Sequence, residues 1–209
     1  MTQASVGFRA HSGWAVVVEV GGPAEAIELI DRRRIELVTG ATPRQPYHAA
    51  EEKELSQAKK IIRDCASQAE MLAKKAVNSV LQQSEQRGYR VSAAGIVAAS
   101  ARPLPDLATI LSSHPLLHTA EGELFRSVLS QACEHYDLPV IRIKEQALYS
   151  TASTQLGIPL EKIQSHLAEM GRSAGPPWRQ DEKLAALIAW VALAGAKTRK
   201  SAAGRSSAR

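Results

Sequence analysis

Four side chains between residues 114 and 123 have the types and spacing of a chemical site: His114, His118, Glu121 and Glu123. His114 and His118 are four apart and Glu121 follows three later, so on a helix they share one face. Imidazoles and a carboxylate at that spacing can ligate Zn²⁺ or a similar ion. Pro115 is compatible with a helix that starts there, because the first turn tolerates proline. The same residues also suit an ordinary helix N-terminus, with acids complementing the dipole and histidines facing solvent. That simpler reading is adopted, and neither a metal site nor a cofactor is assigned from the sequence. Glu121 and Glu123 point to different sides of a helix, so they do not form an evident catalytic pair.

A second constellation is cationic: Arg9, His11, Ser12, the run Asp31-Arg32-Arg33-Arg34, and His48. Arg9, His11 and backbone donors around Ser12-Gly13 can hold an anion such as phosphate. Arg33, Trp178 and Lys183 complete the set of candidate anion- or ligand-binding residues. Trp178 ends a rigid Gly175-Pro176-Pro177-Trp178 loop. It can stack on a base or sugar, but a tryptophan so placed more commonly closes a core. The arginine run alternates sides on a strand; Asp31, Glu36 or a covering helix can neutralise it, and a solvated sheet edge is the simpler reading. The chain has no phosphate-binding Gly-x-x-x-x-Gly-Lys, no Gly-x-Ser-x-Gly elbow and no Cys/His zinc spacing.

The elements that must carry these residues follow from periodicity. Residues 6–13 read as a glycine-punctuated loop feeding a valine-rich strand from Trp14 to Val20. Ala26 to Val38 is extended, as one bent strand or two short ones. From about 48 to 87 there is neither proline nor glycine. There Leu55, Ala58, Ile62, Cys65, Ala69, Leu72, Ala76 and Val80 recur at steps of three and four, predicting one long amphipathic helix. Val91 to Ser100 reads as a central strand buried on both faces. A helix from His114 or Thr119 to His135, a second buried strand from Leu138 to Ala147, a short helix near 160–170 and a last helix from Asp181 to Ala194 complete the order. Strands followed by late βαβ units predict an α/β fold: a mixed sheet flanked by helices, in a single domain over 1–195. The strands Val16–Val20, Val91–Ala98 and Leu138–Ile143 are expected to be neighbours, the last two parallel.

This order resembles the ribonuclease-H-like superfamily, and in detail its Holliday-junction-resolvase branch. That branch opens with Gly-Ile-Asp-x-Gly, a short loop, then Gly-Tyr/Trp-Ala and a valine-rich strand; Gly7-Phe8-Arg9 and Gly13-Trp14-Ala15-Val16 take comparable places. Lys162-Ile163-Gln164-Ser165-His166-Leu167 and the helix opening at Asp181-Glu182-Lys183 resemble its later segments. The resemblance implies two-metal cleavage of nucleic acid, which needs several carboxylates around Mg²⁺ ions roughly 4 Å apart. It places the first acid at Arg9, the central-strand acid near Ala99-Ser100-Ala101, and an acid pair at Asp181 and Leu184. Asp181 alone matches. The expectation is therefore a catalytically degenerate ribonuclease-H-like module that associates with nucleic acid or protein. In such a fold Arg9 and His11 meet Asp181 and Glu121, and an Arg9–Asp181 pair replaces a metal's charge. One alternative is a hydrolase or nuclease with a rebuilt site of His11, His118, Glu121 and Asp181. Another is a structural subunit forming a homodimer through the long helix.

Composition bounds these readings. Of 209 residues, 26 are basic and 21 acidic. Lys197, Arg199, Lys200, Arg205 and Arg209 supply the whole excess, so residues 1–196 are near neutral. Residues 196–209 are expected to be a disordered basic tail. Cys65 and Cys133 have no paired spacing and read as buried free thiols. No run approaches the ~18 apolar residues of a membrane span, and the default location is cytoplasmic.

Overall fold

The computed structural model describes the chain apart from residues 24, 25, 100–102 and 207–209 and apart from the side chains of 197–206. Two antiparallel hairpin strands open it, β1 (Thr2–His11) and β2 (Trp14–Gly21), joined at Gly13, whose φ of 81° makes the turn. β1 corrects the loop expected over 6–13. It is a ten-residue strand at the middle of the sheet, masked in the sequence by the small and polar residues on one of its faces. β3 (Glu28–Glu36) pairs antiparallel with β2 as a single edge strand, with a register shift at Glu19/Val20. β4 (Tyr89–Ala98) and β5 (Val140–Lys144) add in parallel, giving the order β3-β2-β1-β4-β5. β4 and β5 are thus the expected parallel neighbours, but the Trp14 strand does not touch β4, because β1 lies between them. β5 is an edge strand whose residues are partly buried or exposed, not the second buried strand expected.

β1 sorts its residues by parity. Ala4, Val6, Phe8 and Ala10 enter a core with Cys65, Ala69, Ala73, Val77 and Val80 of α2 (Leu55–Gln86) and Phe125, Val128 and Leu129 of α4 (His114–Glu134). The other parity faces α7 (Gln180–Ser206): the Ser5 hydroxyl donates to the Ala189 carbonyl at 2.6 Å. A Cβ on Gly7 would stand 1.9 Å from the Ala185 carbonyl oxygen, and one on Gly95 would stand 2.7 Å from the Ile188 oxygen. Gly7 and Gly95 are direct partners across β1 and β4. Together they form the bare strip on which the α7 backbone rests, with Leu184, Ala185, Leu187, Ile188 and Ala189 fully buried around it. α5 (Glu145–Leu156) and α6 (Leu160–Ala174) complete this layer.

The long helix is shorter than expected. Residues from 48 onward first form α1 (Pro46–Ala50), and the chain turns at 51–54 before α2 begins. Pro46 and Ala50 are buried where α1 packs on α2 and α4, and this docking overrides the continuous helical pattern. α2 is about 48 Å long at ~1.5 Å per residue and lies along the sheet, its buried row satisfied within the chain rather than projecting. α3 (Leu107–Leu111) and α5 were not expected. α7 runs past the expected end at Ala194; the basic tail's side chains and residues 207–209 lie outside the described residues. Among the described residues no helix is long and apolar enough to cross a membrane.

Candidate functional site

The parity of β1 delivers Arg9 and His11 to the α7 face at the C-terminal edge of the sheet. The first turn of α7 brings Asp181 to them. Asp181 Oδ2 lies 3.0 Å from His11 Nε2, and its Oδ1 lies 3.5 Å from Arg9 Nε. The same guanidinium reaches Glu145 Oε2 at 2.8 Å through Nη2. Arg9 therefore bridges two carboxylates from different helices. His11 is fixed further by stacking on Trp14, ring centroids 4.1 Å apart and 10° from parallel. Beside the ion pair, a cleft of about 560 Å³ opens at the ends of β4 and β5, lined by Ala98, Ala99, Lys144, Glu145, Tyr149 and Gln180. This is the crevice outside the strand C-termini where open α/β sheets bind ligands. Ala99 stands at its wall; Ser100 and Ala101 lie outside the described residues.

Of the residues expected to meet here, Arg9, His11 and Asp181 do, and Glu121 and His118 do not. α4 packs on the even face of β1, through Phe125 and Leu129, so Glu121 belongs to the opposite side of the sheet. There its Oε1 accepts from the backbone N–H groups of Tyr47 (2.8 Å) and His48 (3.1 Å) and from His48 Nδ1 (3.1 Å). Glu121 is 2% exposed, and burial pushes its carboxyl above the usual range against the lowering effect of those donors. His118 instead lies against His114 and His48. The rebuilt catalytic site of His11, His118, Glu121 and Asp181 is therefore two separate clusters. Glu123 points elsewhere, as expected, to Arg126 and Arg142.

Two of the remaining anion-site residues, Arg33 and Trp178, are held by internal contacts. Arg33 donates to Asp31 (2.6 Å) and Gln83 (2.6 Å) on the α2 side. Arg32, on the other side, donates to the carbonyls of Ala174 (3.2 Å), Gly175 (2.8 Å), Pro176 (2.9 Å) and Pro177, clasping the α6–α7 connection. Trp178 donates from Nε1 to the Leu167 carbonyl at 2.8 Å and covers Gly171, the core-closing role. Lys183 and Ser12 lie on the same edge as Asp181 and His11, in the first turn of α7 and in the β1–β2 turn. Glu145 was missed: residues 138–147 read as strand, and only the Lys144-Glu145 junction of strand and helix marks it.

A mixed five-stranded sheet in this order, helices on both faces and a carboxylate-bearing helix at the edge of β1 define a ribonuclease-H-like α/β fold. No protein-family model and no curated protein sequence matches the chain. Solved structures do: RuvC of Thermus thermophilus in complex with a Holliday junction substrate aligns over 94% of this chain and 96% of that one, at 10% identity and a TM-score of 0.56. A second Thermus thermophilus RuvC structure aligns over 95% and 97%, at 12% identity and a TM-score of 0.55. The fold likeness spans essentially the whole of both chains.

Proposed function

We propose that this protein is a nucleic-acid-associated ribonuclease-H-like domain in which an internal ion pair replaces a metal-dependent cleavage centre. The observation that carries this reading is Arg9, whose guanidinium lies between Glu145 and Asp181. A two-metal centre needs carboxylate oxygens converging on open cation positions. Here the two carboxylates of the edge face a fixed monovalent cation and, for Asp181, an imidazole as well. Among the described residues, the group spaced to hold an ion does not include either of them. The proposed role is therefore to bind: the cleft beside Glu145, with Lys144 on its wall, receives a phosphate-bearing strand. The likeness to a RuvC solved on its junction substrate supports nucleic acid as the partner class; it is an analogy of fold.

Fluorescence anisotropy against four-way junction, duplex and single-stranded DNA and RNA, at graded salt, tests the binding. A parallel incubation with Mg²⁺ or Mn²⁺ tests cleavage. Salt-sensitive binding without strand scission is expected. Absence of binding to every nucleic acid would turn the reading toward a protein-interaction module or a subunit assembled through α2. Mg²⁺-dependent scission that is lost in Asp181→Ala would establish the hydrolase reading in its place.

A further inference from the structure

We infer that the protein binds one divalent transition-metal ion of the zinc type through His48, His114 and His118, on the opposite side of the sheet from the Arg9–Asp181 pair. One ring nitrogen from each of the three lies within 4.8 Å of the other two. His114 and His118 present theirs from successive turns at the start of α4, and their Nε2 atoms are 3.1 Å apart. Two nitrogens on one tetrahedral ion, each at ~2.0–2.1 Å, are held about 3.3 Å apart, so these two imidazoles already stand at nearly the separation that ligation sets.

His48 supplies the third ligand from α1, and its tautomer is fixed. Glu121 Oε1 accepts a hydrogen bond from Nδ1–H at 3.1 Å, while two backbone N–H groups hold that oxygen in place. The lone pair is left on His48 Nε2, an atom shut off from solvent and without a hydrogen-bond partner in the protein. A carboxylate that orients a ligating histidine through its other nitrogen is the usual outer support of a zinc site. His114 and His118 are exposed, which leaves a fourth position to water. Three neutral imidazoles select Zn²⁺, Co²⁺, Ni²⁺ or Cu²⁺ over Mg²⁺ and Ca²⁺, which prefer oxygen. Both cysteines are buried and neither belongs to this group. Bound metal would clamp α1, a five-residue helix too short to persist alone, onto the start of α4.

The test uses untagged, full-length protein stripped with a chelator. Titration with Co²⁺ should give the visible band of a tetrahedral ion, saturating at one per chain and displaced by Zn²⁺. A chromophoric competitor then gives the Zn²⁺ affinity. His114→Ala and His118→Ala change exposed side chains, so circular dichroism should be unaltered while Zn²⁺ affinity falls by at least the roughly 10–100-fold that loss of an outer-shell partner costs. Glu121→Gln should weaken binding by about 10–100-fold. Failure of the native protein to bind Co²⁺ or Zn²⁺ at one per chain would overturn the inference. So would undiminished binding in both folded histidine variants, which would mark an adventitious site elsewhere. Neither result bears on Arg9 or on nucleic-acid binding.

Discussion

Replacing Arg9 by alanine tests whether its guanidinium holds the edge of the sheet together in place of a metal. At 2.8 Å and an effective dielectric constant of 20, the Arg9–Glu145 attraction is about 6 kcal/mol before desolvation and screening. Those costs are large, because the side chains of Arg9, Asp181 and Glu145 are 21%, 30% and 42% exposed. Fully exposed pairs contribute about 0.2–1 kcal/mol, and removing one partner of a buried pair costs about 3–5 kcal/mol. The expected loss for Arg9→Ala is therefore intermediate, about 1–3 kcal/mol, which for a chain of 209 residues lowers Tm by about 3–10 °C. The decisive arm is divalent cation. In Arg9→Ala the two carboxylates face each other across the vacated volume, so Mg²⁺, which prefers oxygen ligands, should raise Tm in the variant and leave the native protein nearly unmoved. High salt should shrink the difference between the two proteins. Equal stabilities, or an equal Mg²⁺ response in both, would refute the charge-replacement argument.

Gly7→Ala should destabilise by about 1–3 kcal/mol or more in urea unfolding. Its Cβ would meet the Ala185 carbonyl oxygen at 1.9 Å, so α7 must withdraw by roughly 1.5 Å and carry Asp181 away from His11. Glu19 is 1% exposed and accepts from the Ser84 hydroxyl, and burial raises its carboxyl above the ordinary range. The folded chain therefore keeps a proton that the unfolded chain releases, and stability falls as pH rises from about 4.3 through the raised value. Glu19→Gln imitates the protonated form and should flatten that fall, matching the native protein at about pH 4 and exceeding it at about pH 8; an unchanged slope in pH-dependent urea melts would count against this. Arg32→Ala should leave the carbonyls around Gly175 without their donor, costing about 1–3 kcal/mol and accelerating limited proteolysis between α6 and α7.

How much of this was legible depended on whether burial left a period in the sequence. α2 and α4 carry long apolar rows and β4 a small apolar run from Ala93 to Ala98, and each was readable. β1 was not, because the face it turns to α7 holds Ser5, Gly7, Arg9 and His11. A strand whose neighbour is a helix backbone needs missing side chains, and missing side chains look like a loop. α5 hides for a different reason. Only Leu148 and Ala152 of its residues are buried, and Tyr149, Ser150, Thr151, Ser153 and Thr154 have modest helix propensity. Overlooking that helix meant overlooking Glu145, the nearer of the two partners of Arg9. Glu121 and His118 went to the wrong cluster because spacing along α4 says which residues share a helix face, not which side of the sheet that helix covers.

That division between sides explains why the chain can hold two unlike polar sites so near one strand. Even residues of β1 from Ala4 to Ala10 are given to apolar packing with α2 and α4. The histidines gather where the short α1 meets the start of α4. Odd residues of β1 grow from Ser5 and Gly7, which admit the α7 backbone, to Arg9 and His11, which reach Asp181 in its first turn. The close seat of α7 and the ion pair at its N-terminus are thus one construction: the glycines set the depth of the helix, and that depth sets the distance from Asp181 to Arg9. Substituting either glycine should disturb the edge cluster while leaving the histidine cluster, anchored by α1 and α4, intact. Metal binding and stability of the Arg9 edge should accordingly respond to different mutations.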